Sequence, residues 1–194
     1  MVLKPDRKGY TRAAQLVRGG GVIAFPTDTV YGLGAAADDE LAQKRVYAMK
    51  NRPVGMPLIL MVAARTQLEG WVHVDSRAEA LIERWWPGPL TVILHAIGGG
   101  TLGVRVPNHE IALELLRATG PLMTTSANLH GDEPAMTAED AMQVPGLAAV
   151  LDGGRAPGGV ASTVVDLTGP ELHILREGAI PAAHVLGPPP PKAG

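Results

Sequence analysis

Cysteine is absent from all 194 residues, so neither a disulfide framework nor a thiolate metal site is available to this chain. Long apolar runs are missing too. The longest, such as Leu58 to Ala64, fall far short of the roughly 20 residues a membrane-spanning helix requires. The N-terminus Met1-Val2-Leu3-Lys4-Pro5-Asp6 has no apolar core of signal-peptide length. Together these absences point to a cytoplasmic protein with no membrane segment. A net charge of -2 and a pI of about 6.3 exclude a broad field for nucleic acid, while leaving room for a local basic cleft. No G-x-x-x-x-G-K-[ST] run occurs, so a bound nucleotide has to rely on side-chain cations and scattered backbone amides. The histidines show no paired metal spacing and H-E-x-x-H is missing, so no metal site is expected from protein side chains and the histidines read as surface or core residues.

What remains is a globular composition, 46% hydrophobic and 19% charged, long enough for one domain that buries roughly two-thirds of its unfolded surface. Glycine and proline are dispersed between apolar segments and read as many tight turns. A helix is expected over Thr11 to Arg18, stopped by Gly19-Gly20-Gly21, followed by a buried strand at Val22 to Phe25 that Pro26 ends. Asp38 or Asp39 caps a second helix carrying Ala42, Val46 and Met49 on one face, which Pro53 stops just after Lys50 and Arg52. A strand follows at Leu58 to Val62, then a helix opened by a Ser76/Glu79 capping box and ended by Pro87-Gly88-Pro89. Strands are expected at Leu90 to His95 and Val104 to Val106, a helix at Ile111 to Ala118, and a strand at Leu122 to Thr124. A Thr137/Asp140 box opens a short helix, and strands close the chain at 149–151, 163–167 and 172–175. This interleaving predicts an α/β domain around a mixed sheet over residues 1–186, with 187–194 as a proline-rich extended tail.

Lys50-Asn51-Arg52 and Ser126-Ala127-Asn128 each lie just beyond a predicted element, where two cations and a polar pair can hold phosphate and carboxylate oxygens. The plainer reading of Lys50 and Arg52 is compensation of a helix C-terminus, about 0.3–1 kcal/mol each. Thr27-Asp28-Thr29 reads by itself as a turn in which short side chains bond their own backbone. Arg105 lies between Val104 and Val106 in an apolar strand. A buried guanidinium needs an anionic partner or several acceptors, and a ligand carboxylate would satisfy it. Gly32-Leu33-Gly34-Ala35-Ala36-Ala37 matches a dinucleotide pattern only formally. Thr27 to Tyr31 separate it from the strand, and Met56-Pro57-Leu58 stand where the ribose-binding acid belongs, so these are structural glycines. Ser126 lacks a G-x-S-x-G setting, which leaves binding as its role.

In order and spacing, Pro26-Thr27-Asp28-Thr29-Val30-Tyr31-Gly32-Leu33-Gly34, Lys50-x-Arg52-Pro53, Trp86-Pro87-Gly88-Pro89-Leu90-Thr91, Val104-Arg105-Val106-Pro107, Ser126-Ala127-Asn128 and Ser162-Thr163-Val164-Val165-Asp166 resemble the YrdC-like threonylcarbamoyl-adenylate synthase family. The resemblance covers about residues 8 to 181 and implies a twisted, open mixed sheet flanked by helices, with a deep, positively charged concave face. It implies a nucleotidyltransferase that joins L-threonine, bicarbonate and ATP into threonylcarbamoyl-adenylate and pyrophosphate, with magnesium accompanying the ATP. A separate transfer complex would then pass the group to tRNA. Threonine is expected at Thr29, Arg105, Thr124 and Ser162. ATP is expected at Lys50, Arg52, Thr101, Ser126, Asn128 and Arg176, with Lys50, Arg52, Ser126 and Asn128 as the catalytic set.

The chain departs from the family pattern at Met61, where relatives carry His, and at Met56 before Pro57, both near the substrates. Met61 cannot donate a hydrogen bond, which predicts broader amino-acid selectivity. Two alternatives compete. One is a non-catalytic module binding tRNA or double-stranded RNA through the same cleft. The other is carbamoyl-adenylate formation, as in hydrogenase-maturation proteins, which embed the domain beside cysteine-rich zinc modules.

Overall fold

In a computed structural model, residues 1–51, 53, 55–129 and 131–187 are described. The expectations for Arg52, for His130 and for the tail beyond Gly187 lie outside the described residues.

The chain opens with strand β1 (Val2–Leu3) and helix α1 (Arg7–Arg18), capped by Asp6, whose carboxylate accepts from Gly9 N at 2.8 Å. The helix thus begins four residues before the expected Thr11. Gly9 is accommodated because a Cβ there would lie 1.9 Å from the Lys4 carbonyl oxygen, so the turn closes over it only with glycine. Strands β2 (Ile23–Phe25) and β3 (Gly32–Ala36) pair antiparallel. β3 is the stretch read as structural glycines. Its small residues pack flat, and a Cβ on Gly34 would press to 3.0 Å from both Phe25 and Leu122, so strand propensity is hidden by a steric requirement.

Helix α2 (Glu40–Lys50) is capped by Asp39, not Asp38, and ends at Asn51 in the left-handed region (φ 50°). After β4 (Ile59–Met61) and a 3-10 turn (Arg65–Leu68) comes α3 (Ser76–Trp85). Its cap is Asp75, accepting from Ala78 N at 2.9 Å, one residue before the expected Ser76. A carboxylate meets the exposed amides and the positive helix end better than a hydroxyl does, and Glu79 pairs instead with Arg65. A hairpin of β5 (Leu90–His95) and β6 (Thr101–Arg105) follows, then α4 (Glu110–Thr119), β7 (Leu122–Ser126) and α5 (Ala138–Ala141) with the complete Thr137/Asp140 box. β8 (Ala149–Leu151), β9 (Thr163–Asp166), β10 (His173–Arg176) and α6 (Ala182–Leu186) complete the element order.

Among the described residues ten strands form one mixed sheet in the order β1-β8-β2-β3-β7-β4-β6-β5-β9-β10. The pairs β1/β8, β2/β8, β4/β6 and β5/β9 are parallel and the other pairs antiparallel. Strand alternation sorts the core. Ile23, Phe25, Met61 and Leu122 pack with α1 and α4, whereas Ala24, Leu33 and Val150 pack with α2 and α5. In the other half of the sheet, Leu60, Leu90, Val92 and Val104 pack beneath α3. The alternate positions there, including Arg105 and Thr124, therefore point to the opposite face, and that face carries the site. No helix among the described residues is long and apolar enough to cross a membrane.

Candidate active site

Six segments converge on a cavity of about 270 Å³. The 27–31 loop brings Thr27 and Thr29, β4 brings Met61, β6 brings Arg105, and β7 brings Thr124 and Ser126. Ser162, just ahead of β9, and Arg176, the last residue of β10, close the far wall. The loop is knotted by Thr27, whose hydroxyl donates to the Val30 carbonyl at 2.6 Å and accepts from Thr29 N and Val30 N at 3.2 and 3.3 Å. Its turn chemistry and its place on the wall are therefore two uses of one segment. Tyr31 staples it to the glycine-rich 153–159 stretch, donating to the Gly154 carbonyl at 2.6 Å. Burial raises the Tyr31 pKa, so the phenol stays protonated and able to donate.

Arg105 is 4% exposed and has an anionic partner within the chain that the sequence reading missed. Nη2 donates to Asp28 Oδ1 at 2.6 Å, Nη1 to Thr29 Oγ1 at 3.2 Å, and Nε to the Gly88 carbonyl at 3.0 Å. Three of the guanidinium's five N–H groups are thereby committed. One further N–H on each terminal nitrogen remains, the geometry that a carboxylate takes in bidentate fashion. Burial pushes the Arg105 pKa down, Asp28 opposes that, and nearby Arg176 adds to it. Two guanidiniums and the Asp28 carboxylate thus meet at one small cavity, a setting that suits an anionic ligand group. The signal for Asp28 was present in the sequence, a carboxylate in a loop after a buried strand, but nothing local linked it to a residue 77 positions away.

Thr124 donates its hydroxyl hydrogen to the Ile59 carbonyl at 2.9 Å, so it faces the cavity as an acceptor suited to an ammonium or hydroxyl group. Lys50 is 1% exposed and reaches the Ser126 carbonyl, the Asn128 carbonyl (2.5 Å) and Asn128 Oδ1 (3.2 Å). The structure thus brings Lys50, Ser126 and Asn128 together, with Lys50 as the tie beneath the loop and Ser126 alone of the three on the cavity wall. Asn128 opens onto an adjoining cavity of about 340 Å³ and donates to the Leu129 and Asp132 carbonyls. Thr101 stands apart, exposed at the outer end of β6 opposite His95. Four residue steps along the strand separate it from Arg105, about 13 Å. Met61 lines the cavity, whereas Met56 is 43% exposed and its neighbour Pro57 takes the place on the wall.

A ten-stranded open mixed sheet with this loop, arginine and serine set on one face defines a class, and the comparisons agree with it. Residues 15–178 match the Sua5/yciO/yrdC family, described as telomere recombination. The chain belongs to that family. It is 41% identical over 186 residues to a threonylcarbamoyl-AMP synthase of Pyrococcus abyssi, covering 89% of this chain and 55% of that protein. It is 35% identical over 195 residues to a putative threonylcarbamoyl-AMP synthase of Mycobacterium tuberculosis (H37Rv), covering 93% of this chain and 90% of the relative. The chain therefore spans about half of the first relative and nearly all of the second. Its fold superposes on P. abyssi Sua5 complexed with L-threonine with a TM-score of 0.91 at 37% identity, covering 96% of this chain and 61% of that one.

Proposed function

We propose that this chain is a threonylcarbamoyl-AMP synthase, making the mixed anhydride of threonylcarbamate and AMP from L-threonine, bicarbonate and ATP. The observation that carries the reading is the buried Arg105 fork, with two N–H groups to spare beside Thr29 and Thr124, in a fold shared with a relative solved in complex with L-threonine. The amino-acid carboxylate takes the Arg105 fork, and Ser162 stands beside it. Thr124 accepts from the ammonium or hydroxyl group. Arg176 and Ser126 face the nucleotide phosphates, and Lys50 acts by holding the Ser126–Asn128 loop with its charge beneath them. Arg52 is assigned to the phosphates on the sequence resemblance, and Thr101 to the far end of an extended nucleotide along the same sheet face.

In the reaction, bicarbonate takes up a proton and loses water to give carbon dioxide, the neutral amine of threonine attacks that carbon, and the proton the amine sheds as the carbamate forms balances the one bicarbonate took up. A carbamate oxygen then attacks the α-phosphorus, and the bond to the departing pyrophosphate breaks. Both partners are anions, so the chain's contribution is to hold them together and offset their repulsion with fixed cations. Among the described residues no three His, Asp or Glu side chains converge as a metal site. Magnesium would accompany the ATP and offset part of the phosphate charge during the attack. The product would pass to a separate complex that modifies tRNA. Residues 1–186 serve as the catalytic domain.

The test is pyrophosphate release by the purified chain with threonine and bicarbonate omitted in turn, the adenylate being identified by mass. Release that needs both supports the synthase. ATP left intact, or consumed without either, overturns it, and salt-dependent RNA binding in that case would favour a non-catalytic module.

A further inference from the structure

Thr91 takes no part in the proposed reaction, although it is completely buried in β5 against the wall that Ser162 forms. Its hydroxyl lies 2.8 Å from Ser162 Oγ, a distance at which either oxygen can donate. The proton count decides between them. Arg176 Nη2 lies 3.2 Å from Ser162 Oγ and can only donate, so Ser162 accepts there. Thr91 Oγ1 has no other hydrogen-bond partner among the described residues and no solvent contact. If Ser162 donated to Thr91, the Thr91 hydrogen would be buried without an acceptor. Thr91 therefore donates. Ser162 then accepts from both Thr91 and Arg176, its two acceptor positions are filled, and its own hydrogen is left for the cavity it lines.

From this we propose that Thr91 is a positioning residue that makes Ser162 an obligate hydrogen-bond donor to an anionic oxygen of the bound amino acid. The neighbouring wall has the opposite polarity, because Thr124 has given its hydrogen to the Ile59 carbonyl. The cavity is thus presented with Arg105 and Ser162 as donors to the amino-acid carboxylate on one side and an acceptor on the other. An α-amino acid, carboxylate at one end and ammonium and hydroxyl at the other, enters such a site in one orientation. The assignment rests on the amino-acid reading of the cavity and adds to it the residue that sets the polarity of Ser162.

The two halves of the Thr91 side chain separate the roles. T91V keeps the shape and removes the hydroxyl. T91S keeps the hydroxyl and removes the methyl group that faces Gly103. L-threonine affinity is read by calorimetry on the full chain, alongside pyrophosphate release. T91V is expected to weaken threonine binding about tenfold, the net worth of one hydrogen bond, while T91S stays within about twofold of the parent. In an S162A background T91V should add nothing, because Thr91 acts through Ser162. Thermal melts identify a variant that has lost its fold, and T91A with the S162A pair then carries the same comparison. The proposal is overturned if T91V binds threonine like the parent, if T91S is the worse of the two, or if the T91V loss persists without Ser162. A parent chain that binds threonine but releases no pyrophosphate overturns the synthase alone and leaves these affinities decisive. One that binds no threonine overturns both.

Discussion

Replacing Asp28 with alanine tests the central electrostatic feature of the site. Arg105 is buried, and its only carboxylate partner among the described residues is Asp28, at 2.6 Å, with side-chain exposures of 5% and 10%. Removing one partner of a buried ion pair strands the other, a loss of about 3–5 kcal/mol. The Gly88 carbonyl and the Thr29 hydroxyl still accept from Arg105, which places D28A at the lower end of that range. For a chain of this size each kcal/mol lowers the melting temperature by about 2–4 °C, so a drop of roughly 6–12 °C is expected. In the proposed function L-threonine supplies a carboxylate to the same guanidinium, so it should raise the melting temperature of D28A by more than it raises that of the parent. Differential scanning calorimetry with and without threonine measures both. A D28A chain that melts within about 2 °C of the parent, or that threonine stabilises less than the parent, refutes the view that Arg105 depends on a carboxylate partner and shares that role with the ligand.

Three further outcomes follow from the same contacts. K50M leaves the part-buried Ser126 and Asn128 carbonyls without this donor, so the 126–128 loop, on the ATP side in the proposed function, loosens, and kcat/KM for ATP should fall more than about 100-fold while threonine affinity changes little. A loss of less than tenfold would detach Lys50 from the chemistry. Because Met61 offers no hydrogen-bond donor to the cavity, discrimination of threonine from serine rests on burying one methyl group and should lie within about 10–200-fold. A competition assay showing a much stronger preference would refute that account. Burial holds the His109 pKa below its ordinary 6.5, with Asp28 pulling the other way. The unfolded chain therefore takes up this proton first as pH falls. His109 contributes stability above about pH 6.5 that is lost as pH drops from there toward the lowered folded value, where the loss stops growing. H109Q should lose less stability than the parent between pH 7.5 and 5.5 in urea melts, and identical losses would refute the assignment.

Much of the architecture was legible because it is written in local chemistry. The apolar runs at Val22 to Phe25 and Leu90 to His95 could only be buried strands, and Asp39 and the Thr137/Asp140 box announced helix starts within one turn of where they occur. The failures have equally local causes. β3 is built of Gly32, Leu33, Gly34, Ala35 and Ala36, whose lack of bulk is imposed by Phe25 and Leu122, residues that only the folded sheet brings alongside. The Ser76 box lost to Asp75 because two adjacent residues could both cap, and the carboxylate prevailed.

The sequence by itself determined which residue types are available: a cation in an apolar strand at Arg105, hydroxyls at Thr29, Thr124 and Ser162, and a lysine at a helix end in Lys50, in an order that marks the family. Only the tertiary structure decided what each of them touches. Sheet order places β6 between β4 and β5, so Arg105 meets Asp28 across 77 residues and Lys50 turns inward to Ser126 and Asn128. The direction in which the Ser162 hydroxyl points depends on Thr91, 71 positions earlier. Hydrogen-bond polarity is a property of which acceptors and donors are neighbours in space, and no spacing along the chain encodes it.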